Sequence, residues 1–253
     1  MGYIVLSGDY KQYNIYRILD EITACIESIK EELVNLKFNP DKLKIAIGGI
    51  SAGAHIALLY EYTIKNSPIN IKFLINIFGP LSLEPDFWYK PAIFNNILDD
   101  LEMDNINNAI ENVTIIPIIE EPTFLGLMNG FLVNIYIEQE VKSMINDNKI
   151  NKDSEIYQEM FKKLQYSFPI KYVNNYTLPT LCEYAGNDSL VGVDIYRFLK
   201  DLFEKYERKL DLVYLRYADH NLISYDTKNG IEAMRGIHYK VLEYAKQYSK
   251  SDD

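Results

Sequence analysis

The sequence predicts an α/β domain: a mostly parallel sheet flanked by helices and interrupted by a helical insertion. Three observations predict it. Near-continuous apolar runs such as Ile71 to Phe78 lack polar alternation, which suits parallel strands covered on both faces. Helical apolar spacings follow those runs in turn, the pattern of strand–helix–strand units. A middle stretch, Leu81 to about Phe168, loses the strand signal and carries short blocks of helical spacing instead.

In order along the chain, Tyr3 to Ser7 reads as a strand. A helix follows from roughly Tyr16 to Leu36, with Ile18, Ile22, Cys25, Ile26, Ile29 and Leu33 at the spacing of one buried face. Asn39-Pro40-Asp41 breaks it. Leu43 to Ile47 is an apolar, β-branched run entering a glycine-rich turn, and Ala52 to Ile64 has helical spacing. Ser67-Pro68 ends that helix before the strand Ile71 to Phe78. The insertion then shows helical blocks over Asp86 to Leu101, Ile106 to Val113, Leu127 to Asn146 and Ser154 to Leu164, punctuated by Pro117 and Pro122. After Pro169 to Tyr176 come a strand, Thr180 to Ala185, a helix, Val193 to Arg208, a strand, Leu212 to Tyr217, and a last helix ending near Tyr248. The division is thus a core of residues 1–80 and 169–253, with residues 81–168 as a helical cap.

The turn between the Ile45 run and the Ala52 helix holds the most chemistry. Gly49, Ser51 and Gly53 form G-x-S-x-G. A strand-to-helix turn that sharp holds the serine in a strained conformation with its hydroxyl pointing outward. Glycines two residues to either side avoid Cβ clashes where the backbones crowd. The helix N-terminus favours negative charge developing beside it. The alternative is an ordinary glycine-rich strand–helix turn.

A serine hydroxyl needs a base, and the base an orienting acid. The chain has three histidines. His55 lies one helical turn after Ser51 and reads as structural, packed under the turn. His238 sits in the last helical pattern. His220 follows a strand in the polar loop Ala218-Asp219-His220-Asn221, at the strand end where parallel sheets place functional groups. It is the expected base. Asp188, in the loop Gly186-Asn187-Asp188-Ser189-Leu190-Val191, is the expected acid; its alternative is a turn aspartate capping the next helix. Asp219 adjoins His220 and is poorly placed to reach the inner ring nitrogen, and Asp194 falls in a helix.

Composition narrows the classes. A net charge of −10 argues against nucleic-acid binding and against attraction to anionic membranes. No apolar run is long enough for a transmembrane helix. Two cysteines, Cys25 and Cys182, do not make a disulfide framework and are expected as free thiols. The scattered histidines and cysteines match no metal spacing, so neither metal nor cofactor is implied. Glu120-Glu121 reads as a solvated loop rather than a carboxylate pair.

Together these residues resemble an α/β-hydrolase of the carboxylesterase and hormone-sensitive-lipase-like group. Gly49-Ile50-Ser51-Ala52-Gly53-Ala54-His55 is similar to its G-x-S-A-G-G-H elbow. Gly186 to Val191 resembles its acid loop, and Asp219-His220-Asn221 its histidine loop. Phe78-Gly79-Pro80 resembles the strand end before the lid, and the segment Gly2 to Tyr10 its G-Y-x-V-x-x-x-D-Y-R strand. The resemblance also implies earlier strands and a His-Gly-Gly loop that supplies half of the oxyanion hole. No such loop occurs here, which leads to the expectation of a longer natural protein, or else of a trimmed homologue.

What the resemblance implies is a serine hydrolase of small carboxylic esters, with Ser51 as nucleophile, His220 as base, Asp188 as orienting acid and the Ala52 N–H as oxyanion donor. Phe87, Trp88, Phe124 and Met128 are candidate substrate contacts in the cap, with Tyr89, Leu127 and Phe131 beside them; the alternative for each is a place in the cap's own core. Peptidase or amidase chemistry on the same triad stays open, as does a catalytically impaired homologue. As the chain stands it reads as cytoplasmic, although a longer N-terminus would be the place for a signal.

Overall fold

The computed structural model describes residues 6–8, 15–42, 44–82, 145–146, 149–150, 153, 155, 158, 162, 165–186, 188, 191, 194–215, 218, 220 and 239–248. Four parallel strands form the central sheet: β1 (Ile45–Ile50), β2 (Ile71–Ile77), β5 (Thr180–Ala185) and β6 (Leu210–Leu215), in the spatial order β1-β2-β5-β6. Glu183 lies between Ile77 on one side and Val213 on the other, which fixes the register across the sheet's centre. The short β3 (Ile145–Asn146) and β4 (Lys149–Ile150) pair antiparallel as a separate hairpin.

Helix α1 (Ile15–Asn35) buries Ile15, Ile18, Leu19 and Ile26 and leaves its polar face in solvent. It stops where Lys37 turns left-handed (φ 65°), with the Phe38 N–H reaching back to the Leu33 carbonyl at 2.9 Å. Helix α2 (Ala52–Thr63) is buried from Ala54 through Tyr60, because it lies against β1 and β2 with α1 over it. Helix α3 (Asp194–Lys205) connects β5 to β6 and buries Ile195, Tyr196, Leu199 and Phe203. Residues 239–248 form a further helix, α4.

Strand alternation sorts the core into two faces. On one, Leu74 and Cys182 pack with α1, α2 and α3. On the other, Phe73 and Leu181 pack with Tyr244 of α4, whose ring meets Phe73 edge-on at 5.8 Å between centroids. At the C-terminal end of the sheet a small cluster of Phe78, Ala185, Leu215 and Ala218 underlies the loops.

The expected core elements lie close to the observed ones, with four corrections. Cys25 is exposed on α1, since the buried stripe runs through Ile22 and Ile26 and turns the residue between them outward. The strand expected over Leu212 to Tyr217 begins at Leu210, because Thr180 pairs with Leu210. Leu6 and Ser7 carry no regular structure, and Leu6 is exposed. Asn146, expected to end a helical block, pairs instead with Lys149 in the antiparallel β3–β4 ladder. Tyr3, Val5 and nearly all of the expected cap lie outside the described residues.

Candidate active site

Ser51 occupies the single-residue turn between β1 and α2 with φ 52° and ψ −123°. For a non-glycine residue such backbone costs on the order of 1–3 kcal/mol and persists only when its surroundings hold it. They do. The Ser51 N–H donates to the Ile77 carbonyl at 2.8 Å, and the Ser51 carbonyl accepts from the N–H groups of Ala54 and His55 at 3.0 and 3.1 Å. Gly49 is obligatory: a Cβ there would stand 2.4 Å from the carbonyl carbon of Gly53. Gly53 is not. A Cβ on it would meet nothing within 4 Å among the described residues, which corrects the expectation that both glycines relieve crowding.

The two loops beyond β5 and β6 bring the remaining residues to the serine. Ser51 Oγ lies 2.7 Å from His220 Nε2, and His220 Nδ1 lies 2.8 Å from Asp188 Oδ2. A carboxylate accepts only, so Nδ1 carries the proton and Nε2 is left to accept from the serine hydroxyl. Asp188 is 2% exposed and His220 12%. The second Asp188 oxygen accepts the Val191 N–H at 2.8 Å, so the aspartate caps its own loop and meets the histidine at once. The Val191 N–H lies before the helix that begins at Asp194, so this bond orders the loop and is not a cap of that helix. Ala52 is the first residue of α2, where helix N–H groups lack an intrahelical acceptor.

His55 is completely buried, and its Nδ1 donates to the Pro80 carbonyl at 2.8 Å. Burial lowers its pKa to about 4, so it stays neutral and structural, as its position one turn along the helix suggests. The described residues hold no cluster of three His, Cys, Asp or Glu side chains suited to a metal. No helix among them is long and apolar enough to cross a membrane. Phe87, Trp88, Phe124, Met128, Tyr89, Leu127, Phe131, Asp219 and His238 lie outside the described residues, as does the side chain of Asp194.

The fold that carries these residues is shared with solved structures. A sugar hydrolase from Lactococcus lactis superposes with a TM-score of 0.54 at 14% identity, over 94% of this chain and 72% of that one. A carboxylesterase from Lactobacillus plantarum gives 0.54 at 9% identity, over 96% and 72%. The chain has the α/β-hydrolase fold. The acylaminoacyl peptidase of Pyrococcus horikoshii matches at 0.51 and 13% identity over 93% of this chain but only 28% of its own. No protein-family model matches the sequence, and no curated protein sequence does.

Sequence reasoning marked Phe78-Gly79-Pro80 only as a strand end and did not single out Asn76 or Tyr196, although all of these lie about the turn after β2, beside Ser51. Phe78 is fully buried, left-handed at φ 53°, and its ring lies 6.4 Å from that of His220. An asparagine in the apolar run Ile71 to Phe78 was the available signal, because a buried amide must find partners.

Proposed function

We propose that this chain is a serine hydrolase that cleaves small carboxylic esters through an acyl-enzyme. The supporting observation is the relay from Ser51 Oγ to His220 Nε2 and from His220 Nδ1 to Asp188 Oδ2, at 2.7 and 2.8 Å. Ser51 attacks the carbonyl carbon as His220 takes its proton. The Ala52 N–H and the N-terminal end of α2 stabilise the oxyanion. Collapse of the tetrahedral intermediate expels the alcohol, which receives the proton from His220. Water, deprotonated by His220, then attacks the acyl group and frees Ser51. Asp188 holds the imidazole in the required tautomer and stabilises the imidazolium. The choice of ester follows esterase structures of like fold, one of them, from Thermogutta terrifontis, with butyrate bound.

The test is hydrolysis of p-nitrophenyl acetate and butyrate, beside labelling by a fluorophosphonate probe. Wild type turns over both esters and is labelled on Ser51; Ser51→Ala falls to background in both assays while keeping its fold. Equal rates in a folded Ser51→Ala protein would remove the nucleophile assignment. Labelling of Ser51 with cleavage of p-nitroanilides but not of esters would move the substrate to amides, as the acylaminoacyl peptidase neighbour suggests.

A further inference from the structure

We propose that Phe78 is a positioning residue for His220, held in place by Asn76 and Tyr196 through their grip on Gly79. The imidazole is fixed at two points, Asp188 at one nitrogen and Ser51 at the other. Two hydrogen bonds leave the ring free to roll about the line joining them, and a roll tilts the Nε2 lone pair off the serine hydroxyl. A wall against the face of the ring removes that freedom. Phe78 packs beside the ring, 6.4 Å between centroids and tilted by 50°, within the range of an aromatic pair, and is placed to supply that wall.

The wall is itself fastened from both sides. A bulky residue at φ 53° is disfavoured, and glycine or asparagine would suit the backbone better. The Phe78 N–H donates to the Glu183 carbonyl at 3.0 Å. Just after it, the Gly79 N–H donates to Asn76 Oδ1 at 2.7 Å, and the Gly79 carbonyl accepts from Tyr196 Oη at 3.2 Å and Asn76 Nδ2 at 3.5 Å. Pro80 is tied by its carbonyl to His55 Nδ1. A Cβ on Gly79 would lie 2.4 Å from Asn76 Oδ1 and 2.5 Å from the Ala54 Cβ, so the amide closes around a glycine and little else. The same short segment meets two parts of the relay and the helix that follows the third. Ile77 takes the Ser51 N–H, Phe78 faces His220, and Gly79 binds Tyr196 on the helix after the Asp188 loop.

This inference rests on the proposed hydrolase reading only for its kinetic arm. The variants are Phe78→Leu, which keeps apolar bulk without a ring, Tyr196→Phe, which removes one hydroxyl, and Val213→Ala as control. Val213 packs against the same small cluster. One readout is the downfield proton NMR signal of His220 Nδ1–H, identified by its loss in His220→Gln, followed against pH. The other is the rate of fluorophosphonate labelling per folded molecule. Phe78→Leu broadens the signal, moves its pH midpoint and slows labelling by about tenfold or more. Tyr196→Phe does the same to a smaller degree, and Val213→Ala changes neither although it lowers the melting temperature. An unchanged signal, midpoint and labelling rate in folded Phe78→Leu would overturn the proposal. Absence of labelling in wild type would count against the hydrolase reading instead, and the NMR arm alone would then decide the role of Phe78.

Discussion

Two buried polar side chains on neighbouring strands have opposite fates. Asn76 of β2 and Glu183 of β5 are both fully buried. Asn76 faces the α2 and α3 side, where its amide oxygen accepts one hydrogen bond and its nitrogen reaches the Gly79 carbonyl and Cys182 Sγ. Glu183 alternates with Leu181 and Ala185 on the face that α4 covers, and neither of its carboxyl oxygens has a hydrogen-bond partner among the described residues. Burial pushes its pKa up to about 7. A satisfied buried amide specifies one turn geometry, whereas an unsatisfied carboxyl costs stability and specifies nothing about its neighbours. Burial alone therefore does not separate a structural post from a liability; the partners do.

Four substitutions or titrations would break or sharpen that contrast. The largest effect is expected from Asn76→Ala, which removes the grip on Gly79 and leaves a void: a loss of about 2–4 kcal/mol in urea unfolding, by the cost of breaking a buried network. A loss under about 0.5 kcal/mol would make the amide incidental. Next, Glu183→Leu should gain about 1–3 kcal/mol at pH 8, since it removes a buried group without hydrogen-bond partners among the described residues. A destabilised Leu variant would mean the carboxyl is satisfied in solution.

The third is a pH dependence. Below about 4.5 the carboxyl is protonated folded or unfolded; as pH rises towards about 7 the unfolded chain ionises while the folded one keeps its proton, so stability falls across that window. Glu61, raised to about 7 by burial, adds a slope of the same sign. His55 acts at the acid side with the opposite sign: stability falls as pH drops from about 6.5 towards 4, because the unfolded chain takes up a proton the folded one resists. Urea midpoints from pH 4.5 to 8 should flatten in Glu183→Leu but keep the Glu61 contribution. The smallest effect belongs to Cys182→Ala, which takes one weak acceptor from Asn76 at 3.4 Å and should cost about 1 kcal/mol with labelling kinetics unchanged.

Much of this was legible in the residues. The runs Ile71 to Ile77 and Thr180 to Ala185 are strands because β-branched and apolar residues buried on both faces leave few other choices, whereas Ile45 to Ile50 alternates half-buried and exposed residues. Ser51, His220 and Asp188 could be selected by motif, by scarcity of histidine and by strand-end loops, and the geometry brings the three together. Gly53 misled, because motif spacing does not say which glycine's Cβ meets an obstacle. Asn76, Phe78 and Tyr196 are separated by up to 120 positions in sequence and meet only through the β2–β5 crossover.

By itself, then, the sequence determined the layered parallel sheet, the order of its elements and the identity of the serine, histidine and aspartate. Those follow from periodicity and turn chemistry, which act over a few residues. Tertiary structure alone decided the register that sets Glu183 between Ile77 and Val213, the two-way hydrogen bonding of Asp188, and the turn at Gly79 that presents Phe78 to His220. These depend on contacts between distant segments, whose geometry no local pattern encodes.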